Sequence, residues 1–505
     1  MLDRIEQKIV EIIESKKDEI IAFGTDVWNH AELGYKEVRT SGKFVEEMAK
    51  LGLESETGLA FTGVKSYLHE KGSVEGPTLA IIGEMDGLPI PNHPDAYNGV
   101  SHSCGHHAQL TGVVGAAMAL TDPEVKEAMG GNICFFAVPA EEFVDIEWKN
   151  KMMKEGKLGY GGGKCELIRI GAFDDIDISM GHHSTTGVDM GIINSTSNGF
   201  VNKTVTFKGR AAHAAGMPHH GIDALNAATA ALVNIALQQE SFRDEDSVRC
   251  HGFISNGGSA VNIIADEVVM QYCTRGKTPE AYKNASDKVD RSFKAAAMAT
   301  GCDVVIETMA GYMSQMANPH TEVLQSVLDD IKAEGVYTNQ KDQEGHGTGS
   351  DDFGDVSCLM PLVHFQTGGV EGSIHGPDLV VSDPYLAYVV TAKIFALTAY
   401  RLMKDNAAAA KENIADYKPI MTKESYIEFQ DSMQKTFIFM GIIKLIIAVG
   451  VGDLERIVRK NHTLQIHPGS DPGAFAPESG AAQVPEESRA CGERQLVSLF
   501  AHIVN

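Results

Sequence analysis

Cys104 and His106 flank a single glycine in the run SHSCGHHAQ at 101–109. A thiolate and an imidazole two residues apart can reach the same or adjacent metal ions, and Gly105 lets the backbone turn tightly between them. His102 and His107 add nitrogen donors to the same stretch. A buried thiol beside surface histidines is the plainer alternative. It accounts poorly for three histidines and a cysteine within six residues.

A second group lies in PAEEF at 139–143. Adjacent side chains point different ways, so of Glu141 and Glu142 one can bind a metal while the other handles a proton. Alone, the pair reads better as a solvated acidic turn. Further candidates are His182 and His183 after GAFDDIDISMG, His375 in GSIHGPD, and His213, His219 and His220 in GRAAHAAGMPHHGIDAL. Each also reads as an ordinary strand-end or loop histidine. Asn262 in GGSAVNIIAD and Arg275 closing YCTRG are natural donors to a substrate carboxylate or an oxyanion. The segment GTGSDDFGD at 347–355 lacks the GK[ST] ending of a phosphate loop.

The elements around these motifs alternate. Residues 78–83 (TLAIIG) and 132–138 (NICFFAV) have the short apolar runs of buried strands, and 110–120 between them has a helical period. Strand, helix, strand predicts a doubly wound α/β domain, whose ligands gather at the carboxyl ends of its strands. EMDGLPIP and PAEEF occupy those ends. The pattern then changes to a strand at 200–208, a helix at 223–239, strands at 250–254 and 267–274, a helix at 279–300 and a strand at 303–308. That order, βαββαβ, is ferredoxin-like. The α/β character resumes with a strand at 362–366 and a long helix at 384–403. The expected organisation is a catalytic domain at 1–196 and 311–404, an inserted domain at 197–310, and a C-terminal extension at 405–505.

Within the extension, 467–493 is rich in Pro, Gly, Ser and Glu, a composition that favours disorder. The apolar stretch 437–452 contains Lys444 and is shorter than the roughly 20 residues a membrane-spanning helix needs. It predicts a buried or interface helix. The formal net charge of -25 repels nucleic acid and anionic membranes, so neither is an expected partner. The N-terminal residues predict an amphipathic helix, with Ile5, Ile9, Ile12 and Ile13 on one stripe, rather than a secretory leader. None of the eight cysteines forms a CxxC pair, and a cytoplasmic location is expected.

EMDGLPI, HSCGHHA, PAEEF, the histidine after GAFDDIDISMG, GRAAHAAGMPHHGIDAL, the asparagine of GGSAVNIIAD and GSIHGPD follow one another along the chain. In that order they resemble the motifs of the dinuclear metallopeptidase family of aminoacylases and glutamate carboxypeptidases. The likeness is strongest to its amidohydrolase branch of aminobenzoyl-glutamate, indole-acetyl-amino-acid and hippurate hydrolases, and it runs from residue 15 to residue 404. The resemblance implies a zinc-peptidase-like catalytic domain with a lid/dimerisation insert. It implies that Cys104 bridges two metals, that His106, Glu142, His183 and His375 complete the ligands, and that Glu141 is the general base. His183 rather than His182 matches the ligand, since it lies six residues after Asp177. His213 would stabilise the oxyanion from the lid, often across a dimer interface. Asn262 and Arg275 would grip the substrate carboxylate, and Asp86 would orient the site.

The implied activity is metal-dependent hydrolysis of the amide bond of an N-acyl amino acid, by metal-bound water and Glu141. A dipeptidase of the same family is the alternative within enzymes. A non-catalytic metal- or substrate-binding homologue, and a hydrolase using Cys104 as nucleophile, are the others. The donor set is borderline-soft and suits zinc or manganese, or cobalt or nickel, better than magnesium or calcium. The implied partners are a small N-acyl amino acid or dipeptide and a second copy of the chain. The chain departs from the branch in three places. His107 stands where Asp or Asn is usual, Gln109 where His is frequent, and the segment 148–173 is lengthened.

Overall fold

The structure, a computed structural model, describes residues 2–440. Six strands precede the insertion: β1 (Ser55–Leu59), β2 (Gly63–Tyr67), β3 (Thr78–Glu84), β4 (Asn132–Val138), β5 (Ile178–Ser184) and β6 (Met190–Ile192). The insertion supplies β7 (Gly199–Lys208), β8 (Arg249–Asn256), β9 (Glu267–Gly276) and β10 (Asp303–Ala310). β11 (Leu362–Thr367) returns to the first sheet, and a small hairpin follows, β12 (Val370–Glu371) with β13 (Val380–Val381). The last described strand is β14 (Lys435–Phe439).

The larger sheet has the order β1-β2-β4-β3-β5-β11-β6. Its centre, β4-β3-β5-β11, is parallel, and antiparallel strands flank it on both sides. The central strands are buried on both faces, which is why they read as unbroken apolar runs rather than alternating ones. The helix His106–Leu120 makes the β3-to-β4 crossover. It is apolar on every side, as a helix sandwiched between a sheet and further helices must be. Among those helices is Thr391–Asp416, which packs against it. Tyr385–Asp416 is long and apolar enough to cross a membrane, but most of it is buried in this core. The fold is therefore the expected α/β class, a doubly wound catalytic domain with an inserted ferredoxin-like module.

The insertion forms a separate antiparallel sheet in the order β14-β10-β7-β9-β8. β7 alternates buried and half-buried residues, the signature of a sheet with one covered face. The helices Ala224–Ala236 and Pro279–Thr300 cover that face through Ala227, Ala231, Val289 and Phe293.

Structure continues past 404, where the regular pattern was expected to end. The expected helix 384–403 begins with a π-helical turn, Tyr385–Val390, and runs to Asp416 across a break at Lys404–Ala407. The break has a local cause. The Gly130 N–H takes the Met403 carbonyl at 2.7 Å, and the Gly130 backbone presses on Asn406 too closely for a side chain. A helix Lys423–Met433 then packs beside β10 and leads into β14, which pairs antiparallel with β10. Phe437 to Phe439 are thus strand, not the start of the expected helix 437–452. The remainder of that helix and the Pro-rich stretch 467–493 lie outside the described residues.

Candidate metal centre and active site

Three parallel strands deliver their carboxyl ends to one place. β3 ends at Glu84 and continues to Asp86, β4 leads into Glu141 and Glu142, and β5 carries His183. The order β4-β3-β5 makes these ends neighbours. Cys104 and His106 arrive from the turn before the crossover helix. There Gly105 adopts φ 91°, a left-handed conformation that swings the thiol and the first helical side chain toward the same point. His375 comes from the β12-β13 loop, anchored by its N–H to the Ser103 carbonyl at 2.7 Å.

The Cys104 Sγ lies 3.3 Å from His375 Nε2 and 3.5 Å from His183 Nε2. His375 Nε2 is also 3.3 Å from a Glu142 carboxylate oxygen. Beside this group, His106 Nε2 lies 3.1 Å from Glu84 Oε2 and 3.6 Å from Glu141 Oε2. Metal bonds of about 2.0–2.3 Å in a tetrahedron place ligand atoms about 3.3–3.8 Å apart. The spacing here is that of donors arranged around small cations.

Hydrogen bonding at the imidazoles points the same way. His106 Nδ1 faces the Asp86 carbonyl at 2.9 Å and Asp86 Oδ1 at 3.1 Å. A ring that donates from Nδ1 keeps its Nε2 lone pair free. His183 Nδ1 lies 2.7 Å from the Ser184 carbonyl and leaves its Nε2 toward the thiol in the same way. His106 Nε2 and Glu142 Oε1 are buried and make no well-aligned hydrogen bond, although Glu84 and His375 stand 3.1 and 3.3 Å from them. Such atoms are costly unless a further group satisfies them.

Electrostatics completes the argument. Burial, and after it Glu142, Asp351, Glu84 and Asp352, push the Glu141 pKa well above the carboxylate range. Burial and the Cys104 sulfur raise Glu142 to about 7. Burial opposes ionisation of Cys104, but His106 and His183 outweigh it and hold the thiol well below its usual value. A site that raises its own carboxylates while favouring a thiolate is short of positive charge, and bound cations supply it. The donor set therefore fits metal ions.

Not every candidate joins this cluster. His182 and His183 fall on opposite faces of β5, so His182 turns into the core, where its Nε2 meets Thr367 Oγ1 at 2.6 Å. His107 is buried against the rings of Trp28, His102 and Tyr388 rather than facing the thiol. Asp86 clamps both sides of the site, since its Oδ2 also accepts the Glu142 N–H at 2.8 Å. Arg275, at the end of β9, stacks on Phe200 and donates to Ser350 Oγ at 3.0 Å, beside Asp351. His213 and Asn262 are exposed on the insertion and adjoin each other, the Ala214 N–H donating to the Asn262 carbonyl at 3.0 Å. Among the described residues no contact joins either to the thiol cluster. His219 and His220 meet edge to face in an exposed turn.

Several residues about the site were not singled out by the sequence. Glu84 faces His106, and Gln109, the unusual residue of the cysteine motif, donates to Glu84 Oε2 at 2.6 Å. Lys164 is fully buried between Glu84 and Asp352. Glu84, Asp351 and Asp352 could together hold a cation, but the Lys164 ammonium already stands against two of them. Tyr312 donates to the Glu141 carbonyl, and Lys149 Nζ to the Glu142 carbonyl at 2.9 Å.

An α/β sheet that gathers thiol, imidazole and carboxylate donors at its carboxyl edge, with a ferredoxin-like insert, defines a class of metal-dependent hydrolases. Residues 80–401 match the model of Peptidase family M20/M25/M40, and the chain belongs to that family. It is an enzyme that hydrolyses peptide or amide bonds with bound metal. It is 28% identical over 417 residues to the Xaa-Arg dipeptidase of Mus musculus, covering 79% of this chain and 89% of that one. It is 24% identical over 423 residues to IAA-amino acid hydrolase ILR1-like 4 of Arabidopsis thaliana, covering 79% and 89%. A Bacillus subtilis structure described as a dinuclear metal binding peptidase from the M20 family superposes with a TM-score of 0.57 at 20% identity, covering 77% of this chain and 99% of that one. At that identity the likeness is one of fold.

Proposed function

We propose that this enzyme cleaves the amide bond of a small N-acyl amino acid of the aminobenzoyl-glutamate type, using two divalent cations, zinc or manganese. The observation that carries the reading is the convergence of Cys104, Glu142 and His375 from three distant segments on one point. Cys104, His106, Glu142, His183 and His375 would hold them, with the Cys104 thiolate shared between the two. Such cations, when bound, lower the pKa of water and polarise the scissile carbonyl.

The chain's own groups do the rest. Glu141 lies beside His106 in a dry environment that raises its proton affinity. It takes a proton from the attacking water and passes it to the leaving nitrogen. Asp86 orients His106 and holds the Glu142 backbone. His213 serves as oxyanion donor. Its Nδ1 accepts the Gly216 N–H at 2.9 Å, so its ring proton sits on Nε2 and is available. Arg275 and Asn262 take the substrate carboxylate.

Residues 197–310 act as the lid, between catalytic segments 1–196 and 311–404, hinged near 195–199 and 308–312. No contact joins His213 or Asn262 to the thiol cluster among the described residues, which favours a homodimer in which a partner's lid completes the site. The extension from 405 adds the strand β14 to the lid sheet. The seven described cysteines are unpaired, which suits a reducing cytoplasm.

A dipeptidase is the second reading, favoured by the likeness to the Xaa-Arg dipeptidase. A metal-supplemented screen of aminobenzoyl-glutamate, acetyl- and benzoyl-amino acids and dipeptides decides between them. Turnover of dipeptides alone would overturn the first reading, and release of no amine from any of these would favour a binding protein. Chelator abolishes activity in the metal reading and spares it if Cys104 is a nucleophile.

A further inference from the structure

We propose that Lys164 is a positioning residue for the reaction: its buried ammonium ties Glu84 to Asp352 and so fixes the carboxylate that lies against His106. The inference rests on His106 being a metal ligand.

Lys164 is wholly inaccessible to solvent, as are the two carboxylates it bridges. Its Nζ contacts Glu84 Oε1 and Asp352 Oδ1, and its backbone N–H takes Asp352 Oδ2 at 2.9 Å. The ring of Phe353 lies 4.0 Å beneath the ammonium. Both oxygens of Asp352 are thereby committed to one residue, and Asp352 cannot swing toward the cations. Glu84 is held on both sides, by Lys164 at Oε1 and by Gln109 at Oε2. The same Oε2 stands 3.1 Å from His106 Nε2. Glu84 can therefore neither retreat from His106 nor rotate away.

The local backbone is built to deliver this lysine. Lys164 occupies the first turn of a short helix, Gly163–Arg169, at the end of the lengthened segment. A Cβ on Gly163 would lie 1.6 Å from the Pro139 carbonyl, so only glycine lets the helix press against the strand that leads to Glu141. The Gly163 N–H bonds the Ala140 carbonyl at 2.9 Å. One turn thus contacts the backbone before the Glu pair and, through Lys164, the carboxylate under His106. A buried lysine with two carboxylate partners and an aromatic face costs considerable desolvation, and as a stability device it would be weak. Fixing the geometry of a metal site is a use that such a pair does serve.

The test uses the full chain with Zn2+ as probe. Metal affinity is measured by titration calorimetry, alongside kcat and KM on a turned-over N-acyl amino acid. Lys164→Met is expected to weaken Zn2+ binding at one of two sites by about 10–100-fold. It should lower kcat with KM little changed. In a Glu84→Gln background the same substitution should cost little more, because its route through Glu84 is already gone. A Zn2+ affinity within twofold of the parent, or an equal loss in both backgrounds, overturns the proposal. If Lys164→Met does not fold, Asp352→Asn keeps the lysine and removes one anchor. Weakened Zn2+ binding then supports the proposal and unchanged binding overturns it. His106→Ala separates the two levels: if it leaves Zn2+ stoichiometry intact, the ligand assignment itself fails.

Discussion

The His375 imidazole reaches the Cys104 thiol at 3.3 Å although 271 residues separate them in the chain. His375 is still half-exposed, with 55% of its side-chain surface accessible, whereas Cys104 is buried. The cluster therefore has an inner wall of sulfur and an outer wall of imidazole. Replacing His375 by Ala should leave the fold intact and lower bound metal below two equivalents. Metal analysis by mass spectrometry reads this, and a full complement of metal would remove His375 from the ligands. Cys104→Ala, which deletes the inner wall, should lose metal more completely.

Glu141 stands 3.6 Å from His106 Nε2 and shares a donor group with His106 and Glu84, apart from the Cys104–Glu142–His375 group. With Glu141 as the base rather than a ligand, Glu141→Ala should retain its metal while kcat falls by about 10²–10⁴ or more, the usual contribution of a positioned proton-transfer group. Near-normal turnover would refute its assignment as base.

His213 lies on the insertion and makes no contact with Glu141 among the described residues, so the two can belong to different chains of an assembly. Mixing inactive His213→Ala and Glu141→Ala proteins, under conditions that allow subunit exchange, should restore part of the activity. Absence of recovery, with exchange confirmed by mass, argues that each chain uses its own histidine.

Lys65 is almost fully buried in β2, and Asp175 meets its ammonium at 2.7 Å. Burial alone would raise the Asp175 pKa, but hydrogen bonds from Lys65, Tyr67 and Lys71 overrule it and hold it at about 2. An unfolded Asp titrates near 3.9. The group therefore binds its proton more readily when unfolded, and its stabilising effect is complete above about pH 4 and lost as pH falls toward 2. Asp175→Asn leaves the buried Lys65 charge without its counter-ion, with the Ala172 carbonyl at 2.8 Å still accepting from it, and should destabilise the protein by about 2–4 kcal/mol near neutrality. The variant's melting temperature should fall less steeply than the parent's between pH 4 and pH 2. Parallel slopes would show that Asp175 is not the titrating group.

How much of this was legible in the chain depends on whether the signal is local. The runs TLAIIG and NICFFAV announce β3 and β4 because a strand buried on both faces carries no polar alternation. The spacing of Cys104 and His106 announces a metal pair because the turn that joins them is local. Glu84 and Asp352 lie in segments the sequence marks, EMDGLPI and GTGSDDFGD, but nothing there joins them to His106, and Lys164 announces nothing. Lys164 is 80 residues from one partner and 188 from the other, and a lysine after three glycines reads as a surface loop. His107 misleads for a related reason. It adjoins His106 in sequence, but one helical step of about 100° turns it from the thiol into the rings of Trp28 and Tyr388. The continuation past 404 was hidden too, since Lys435–Phe439 becomes a strand only because the free edge of β10 is there to receive it.

That fifth strand decides where another chain could dock by backbone pairing. With β14 in place, β10 has a neighbour on each side. Among the described residues, the inserted sheet then ends on β14 at one side and on Arg249–Asn256 at the other, where Phe253 is exposed. An unpaired rim is a template for strand addition. Two chains meeting there through their β8 strands about a twofold axis would fuse their sheets into a single continuous surface of ten strands, with both β14 strands at its far ends.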